Sequence, residues 1–211
     1  MPSFDYKKQF KNLYMPKTVP SLIDVPEMTF IQVSGKGNPN AEDGEYSDAV
    51  QALYSLSYTI KMMPKANETP KDYFEYVVPP LEGYWWTDEG GFDYSDKGKF
   101  KWISMIRQPE FVTDEVFEKA CESVRKKKPD VDISKARLVR VTEGLCVQCM
   151  HIGAFDDEPA TIKRMYEFMD ENALVCDLSE ERYHHEIYLS DPRKTDISKM
   201  KSVIRYPVRR V

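Results

Sequence analysis

Tyr183–Ser190 reads YHHEIYLS, a run of aromatic and β-branched residues in which His184, Glu186, Tyr188 and Ser190 occupy alternate positions. Side chains alternate across a strand, so these four share one face if the run is extended. A second stretch carries the same signature. Tyr76–Thr87 reads YVVPPLEGYWWT; Pro79 and Pro80 split it, so its strand starts near Leu81. Glu82, Tyr84 and Trp86 then share a face, and Trp85 points the other way. Glu-x-Tyr thus occurs twice, as Glu82–Gly83–Tyr84 and as Glu186–Ile187–Tyr188.

Working outward, both stretches sit in the same order of elements: strand, helix, strand, strand. In the first half, residues 28–112, Met28–Ser34 (MTFIQVS) predicts a strand ended by Gly35 and Gly37. A helix opens near the acidic start at Asp43–Tyr46. Val50, Leu53, Leu56 and Ile60 recur at helical spacing and Pro64 closes the pattern, with Tyr54 and Tyr58 together on one face. The Leu81 strand and Phe100–Arg107 (FKWISMIR) follow, joined by a hairpin loop over 88–99. Residues 113–136 form a connection whose helix is capped by Thr113, striped by Val116, Phe117, Ala120, Cys121 and Val124, and stopped by Pro129.

The second half, 137–211, repeats the order. Leu138–Arg140 and Leu145–Ile152 predict two strands around a turn at Gly144. Pro159 opens a helix after Asp156, Asp157 and Glu158, with Ile162, Met165, Tyr166 and Met169 as its buried stripe. Tyr183–Ser190 and Ser202–Val208 complete the set. Residues 1–27, broken by Pro16, Pro20 and Pro26, read as an irregular lead-in to a single domain spanning 1–211.

The 211 residues carry a net charge of −5, which argues against direct nucleic acid binding as the main task. The run Arg125–Lys128 reads as the solvated, dipole-favoured end of a helix. The N-terminal stretch lacks the apolar core of a signal peptide and no membrane-spanning stretch occurs, so a cytoplasmic protein with four free thiols is expected. Cys146-x-x-Cys149 with His151 invites a metal reading, but a strand sends the two cysteines to opposite faces and no second ligand pair follows, so no metal is expected. No phosphate loop, dinucleotide fingerprint or Gly-x-Ser-x-Gly appears, and no cofactor is expected.

Aromatics make up 12% of the chain. If the two Glu-x-Tyr faces meet, Glu82, Glu186 and several rings converge on a flat, negatively charged wall suited to a planar ligand. A strand glutamate facing solvent is the ordinary alternative, and spacing alone does not choose between them. Trp102 would line the groove or cap the core. Of His184 and His185, one would lie near Glu186 and the other on the surface.

VPPLEGYWW (78–86), KWISMIRQPEFV (101–112), HHEIYLSDPRK (184–194) and PSLIDVPEM (20–28) with GKGNPN (35–40) resemble signatures of the GyrI-like family. The resemblance spans nearly the whole chain and brings no separate DNA-binding segment. It implies an α+β fold of duplicated β-α-β-β units with pseudo-two-fold symmetry, an antiparallel sheet with helices, and a central cleft. In multidrug-sensing relatives a buried glutamate and aromatic rings hold flat lipophilic cations; that position falls on Glu186. A stand-alone subgroup includes cyclopropanoid cyclopropyl hydrolases, with which Glu82, Glu186 and the Trp85–Trp86 pair agree. The resemblance thus implies a xenobiotic-binding cleft, with Tyr58, Glu82, Tyr84, Trp85, Trp86, Trp102 and Tyr188 as ligand contacts. The alternatives are a hydrolase with Glu186 as general base, with Tyr58 or Tyr188 bonding the oxygen that gains charge, and a protein-interaction module of gyrase-inhibitor type. The partner is a small planar molecule, no membrane is involved, and the sequence leaves the oligomeric state open.

Overall fold

The computed structural model describes residues 3–42, 44–88, 96–191 and 193–211. Two single-turn helices, α1 (Tyr6–Gln9) and α2 (Lys11–Tyr14), precede β1 (Ser21–Lys36) and α3 (Glu45–Met62). Then come β2 (Leu81–Trp86), β3 (Lys101–Arg107), α4 (Asp114–Lys127), β4 (Arg137–Ile152), α5 (Glu158–Glu171), β5 (Leu174–Cys176), β6 (His184–Tyr188) and β7 (Lys201–Arg210). Each strand pairing used below is antiparallel, and strand-helix-strand-strand recurs as β1-α3-β2-β3 and, with β5 inserted, as β4-α5-β6-β7. The fold is therefore of the α+β class. No helix among the described residues is long and apolar enough to cross a membrane.

Contacts divide the chain into two compact units. The first comprises Met1–Tyr6, Met28–Pro79 and Thr87–Val141; the second comprises Lys7–Glu27, Pro80–Trp86 and Thr142–Val211.

In the first unit β1 pairs with β3, Phe30 opposite Arg107 and Lys36 opposite Lys101. Helix α3 packs on β3 and on α4. Its stripe behaves as the spacing requires: Leu53, Leu56 and Ile60 are fully enclosed, each contributing about 1.5–3 kcal/mol of burial. Ser55 and Ser57 are enclosed with them, and Ser57 Oγ accepts from Gln108 Nε2 at 3.0 Å. Helix α4 starts where Thr113 Oγ1 accepts from the Val116 amide at 3.3 Å, and Phe117, Ala120, Cys121 and Val124 are its buried face. Trp102 is completely enclosed, edge-on to Tyr46 with ring centroids 5.1 Å apart. The indole reaches Gly35, where an added Cβ would lie 2.3 Å from Cη2.

In the second unit β7 is the organising strand. It pairs with β4 (Ile204 opposite Cys149), with β6 (Arg205 opposite His185) and with β5 (Val208 opposite Cys176). Strand β2 then pairs with β6. Helix α5 covers one face, where Met165 and Met169 pack with Val147, Cys149, Ile204 and Tyr206.

The chain departs from the sequence expectations at five places. Strand β1 begins at Ser21, inside the supposed irregular lead-in: Leu22, Ile23 and Val25 favour extension, and Pro26 removes only one donor. The two strands expected around Gly144 are one strand, because φ of +70° at that glycine lets the chain bend without ending. Tyr166 is 41% exposed, and Thr161 takes the buried place on α5 instead. Strand β5 is too short to show alternation. His185, one of the two histidines on β6, is fully enclosed, so neither lies on the surface. Most of the 88–99 loop, residues 89–95, lies outside the described residues.

The Gly35–Trp102 contact sets an expectation. Gly35→Ala forces the indole out of a filled core and should destabilise the protein by roughly 1–3 kcal/mol. Urea unfolding followed by tryptophan fluorescence would measure it, and an unchanged midpoint would show that Trp102 has room to move.

Candidate functional site

The register between β2 and β6 places Gly83 opposite Glu186, Tyr84 opposite His185 and Trp85 opposite His184. Directly opposed residues project to one face of a sheet. Trp85, His184 and Glu186 therefore share a face, and Glu82, Tyr84 and His185 share the other. The two carboxylates expected to converge stand on opposite faces, because a shift of one residue in register reverses the face.

On the first face Glu186 is held at both oxygens. His184 Nε2 lies 2.8 Å from Oε1, and Tyr188 donates its hydroxyl to Oε2 at 2.9 Å. Trp85 Nε1 donates to the Tyr188 oxygen at 2.8 Å. This relay needs a glycine at 83, where a Cβ would lie 2.7 Å from the indole nitrogen and 3.2 Å from the Tyr188 oxygen. Phe155 stands edge-on to Tyr188 at 5.7 Å. Glu158, fully buried at the start of α5, accepts from Ser202 Oγ at 3.2 Å. One ligand atom each from Glu158, His184 and Glu186 lies within 4.8 Å of the others, a donor set of the kind that holds a transition-metal cation. Cys146, Cys149 and His151 form no such set: both cysteines are enclosed in β4, and His151 bonds Thr161 and the Ala154 carbonyl.

The opposite face holds a buried charge network. His185 places Nε2 3.0 Å from Glu82 and Nδ1 3.1 Å from both Glu143 oxygens. Arg205 donates to Glu143 at 3.0 Å, to Gln148 Oε1 at 3.1 Å and to the Leu13 carbonyl at 2.9 Å. Tyr14 donates to Glu82 at 3.3 Å. Carboxylates on both ring nitrogens favour the doubly protonated form of His185, whose pKa is raised. The network thus brings two carboxyl groups together with one imidazole and one guanidinium. Burial alone would raise the Glu143 pKa, but His185 and Arg205 outweigh it and hold it at about 2. Burial opposes charge on His185 too, yet Glu143 and Glu82 lift its pKa above the ordinary value. Over this network Tyr84 packs on His185, and Tyr183 lies against both Tyr84 and Trp86.

Glu186, Tyr188 and Trp85 thus come together on one face, and Glu82, Tyr84 and Trp86 on the other. Tyr58 and Trp102 belong to the first unit, Tyr58 half exposed on α3 and Trp102 enclosed. Sequence alone does not point to Glu143, Arg205, Gln148 or Tyr14, and it marks Glu158 only as an acid at the start of a helix. The one available signal was Arg205, a charge inside the apolar run SVIRYPV.

Residues 18–209 match the GyrI-like small molecule binding domain. The chain belongs to this family. A chain from Listeria innocua, described as an uncharacterized conserved protein, is 50% identical with a TM-score of 0.93, over 98% of this chain and all of that one. A second protein from Listeria innocua, described as a hydrolase, is 50% identical with a TM-score of 0.91, over 99% of this chain and all of that one. The EcmrR C-terminal domain shares the fold at 12% identity, with a TM-score of 0.54 over 91% of this chain and 98% of that domain. A search of curated proteins finds no match.

The charge network predicts a pH profile. Folding lowers the Glu143 pKa, so its contribution is complete above the ordinary carboxylate range and disappears as pH falls toward 2. Folding raises the His185 pKa, so its contribution is complete below about 6.5 and disappears as pH rises through the higher folded value. The His185 ring should titrate above about 6.5 by NMR, and Glu143→Gln should lower that midpoint and cost roughly 3–5 kcal/mol in stability. An unaltered His185 midpoint in Glu143→Gln would refute the coupling.

Proposed function

We propose that this GyrI-like domain binds planar, lipophilic organic molecules, xenobiotics among them, with Glu186 as the charged contact and Trp85 and Tyr188 as its aromatic neighbours. The supporting observation is Glu186 itself, a carboxylate 6% exposed and fixed at both oxygens beside an indole. Fixing a charge before the ligand arrives removes an ordering cost from binding. A flat cation gains both the carboxylate and the faces of the rings.

A second reading, hydrolysis, is favoured by the Listeria innocua protein described as a hydrolase, at 50% identity over its full length. On this reading the substrate is a DNA-alkylating natural product with a cyclopropane ring. Glu186 takes one proton from water, and the water oxygen bonds to a ring carbon. The ring C–C bond of that same carbon, anti to the incoming oxygen, breaks with its electrons moving to the conjugated oxygen, which takes up a proton from solvent. His184 and Tyr188 hold Glu186 in line for that proton. Because Tyr188 gives its own hydrogen to Glu186, another donor serves the oxygen that gains charge.

Displacement of a rhodamine-like cation tests binding, and mass spectrometry of a cyclopropane-bearing alkylator after incubation tests for a water adduct. Glu186→Gln should slow adduct formation by about a hundredfold or more while leaving binding of a neutral planar ligand within a few-fold. Adduct formed at the wild-type rate by Glu186→Gln would remove this residue from the chemistry. Failure of every planar ligand to displace the dye would end the binding reading.

A further inference from the structure

The first unit carries a groove whose chemistry is opposite in sign to that of Glu186. It has a volume of about 640 Å³ and lies where the middle of α3 meets the end of α4. A neighbouring hollow of about 260 Å³ shares Tyr58, Lys127 and Lys128 with it. Tyr54 and Tyr58, one helical turn apart, present rings 6.2 Å apart and inclined by 29°, at 36% and 50% exposure. Lys128 Nζ donates to Ser55 Oγ at 3.3 Å, which draws the ammonium over the helix beside the rings. Lys127 adds a second cation, Pro129 and Val131 add apolar surface, and Asp130 is the one acid in the lining.

We propose that this groove binds a flat aromatic carboxylate of one or two fused rings. Two exposed phenol rings offer a face to a planar molecule, and their hydroxyl edges stay wet. Lys127 and Lys128 bring two ammonium groups to one lining, and a carboxylate in the groove is drawn to both. The volume falls in the range of small-ligand sites. Lysines supply point charges without the planar fork of arginine, so a single carboxylate fits them without a matched bidentate partner. The site is independent of Glu186 and of any hydrolysis there.

The probe is 3-hydroxy-2-naphthoate, with 2-naphthol as its uncharged counterpart, followed by amide chemical shifts on the full chain. Saturable shifts should cluster at Gln51–Tyr58 and Lys127–Val131. Lys127→Ala/Lys128→Ala should weaken binding about tenfold or more, as should 2-naphthol in place of the acid and added salt. Tyr58→Ala, at a half-exposed position, provides a second variant that keeps the lysines; it should weaken the acid and 2-naphthol alike. Glu186→Gln should bind the probe as the wild type does. Absence of saturation, shifts confined to other residues, or equal affinity for the acid and 2-naphthol would each overturn the proposal.

Discussion

The pairing that sets Gly83 opposite Glu186 constrains every group of the second unit's site. It fixes which side chains share a face with the acid and which are sent through the sheet to the other side. It also places a residue without a Cβ where the Trp85 indole and the Tyr188 hydroxyl must meet. With any side chain at 83, the indole would lose its acceptor and Tyr188 would be displaced from Glu186. The geometry of the acid is thus decided by a residue with no functional group.

The opposite face shows how such a strand tolerates charge. Glu82, His185 and Arg205 are all fully enclosed, and an unpaired charge there would carry a large desolvation cost. The network avoids it by balance and by direction. Each His185 nitrogen meets a carboxylate, and Arg205 spreads its donors over Glu143, Gln148 and the Leu13 carbonyl. The α2 segment therefore contributes through its backbone and through Tyr14. This ties the stretch before β1 to β7, nearly the full chain length away. A set of this kind gives little net stability over a well-packed apolar core. Its effect is to fix the arrangement of β2, β4, β6 and β7, on which the Glu186 face also depends.

Much of this was legible in the sequence. Periodicity located α3, α4 and the core of α5; Thr113 announced its own cap; the two Glu-x-Tyr runs gave β2 and β6 and the faces of Glu82, Tyr84 and Trp86. What the sequence withheld was register. Two strands with the same motif can pair acid against acid or acid against glycine, and periodicity is the same in both cases. That single unknown accounts for the expectation that Glu82 and Glu186 converge. Gly144 illustrates a related limit: a positive φ serves a turn and a bend within one strand equally well. Glu143 and Arg205 meet only after β4, β6 and β7 are aligned, so neither had a partner to be recognised by.

The direction of the hydrogen-bond relay then follows from the chemistry of its first member. An indole nitrogen only donates, so the Tyr188 oxygen must accept from Trp85 and turn its own hydrogen elsewhere. Glu186 Oε2 accepts it at 2.9 Å. Tyr188 is thereby a positioning group for the acid, and its phenol ring rather than its proton is what it can offer a ligand. Tyr188 and Tyr58, equivalent hydroxyl donors in the sequence, separate accordingly. Tyr188 is committed to Glu186, whereas Tyr58 stands half exposed on α3 beside Tyr54 and two lysines. Residue types that looked interchangeable in the chain acquire distinct chemistry from the donors around them.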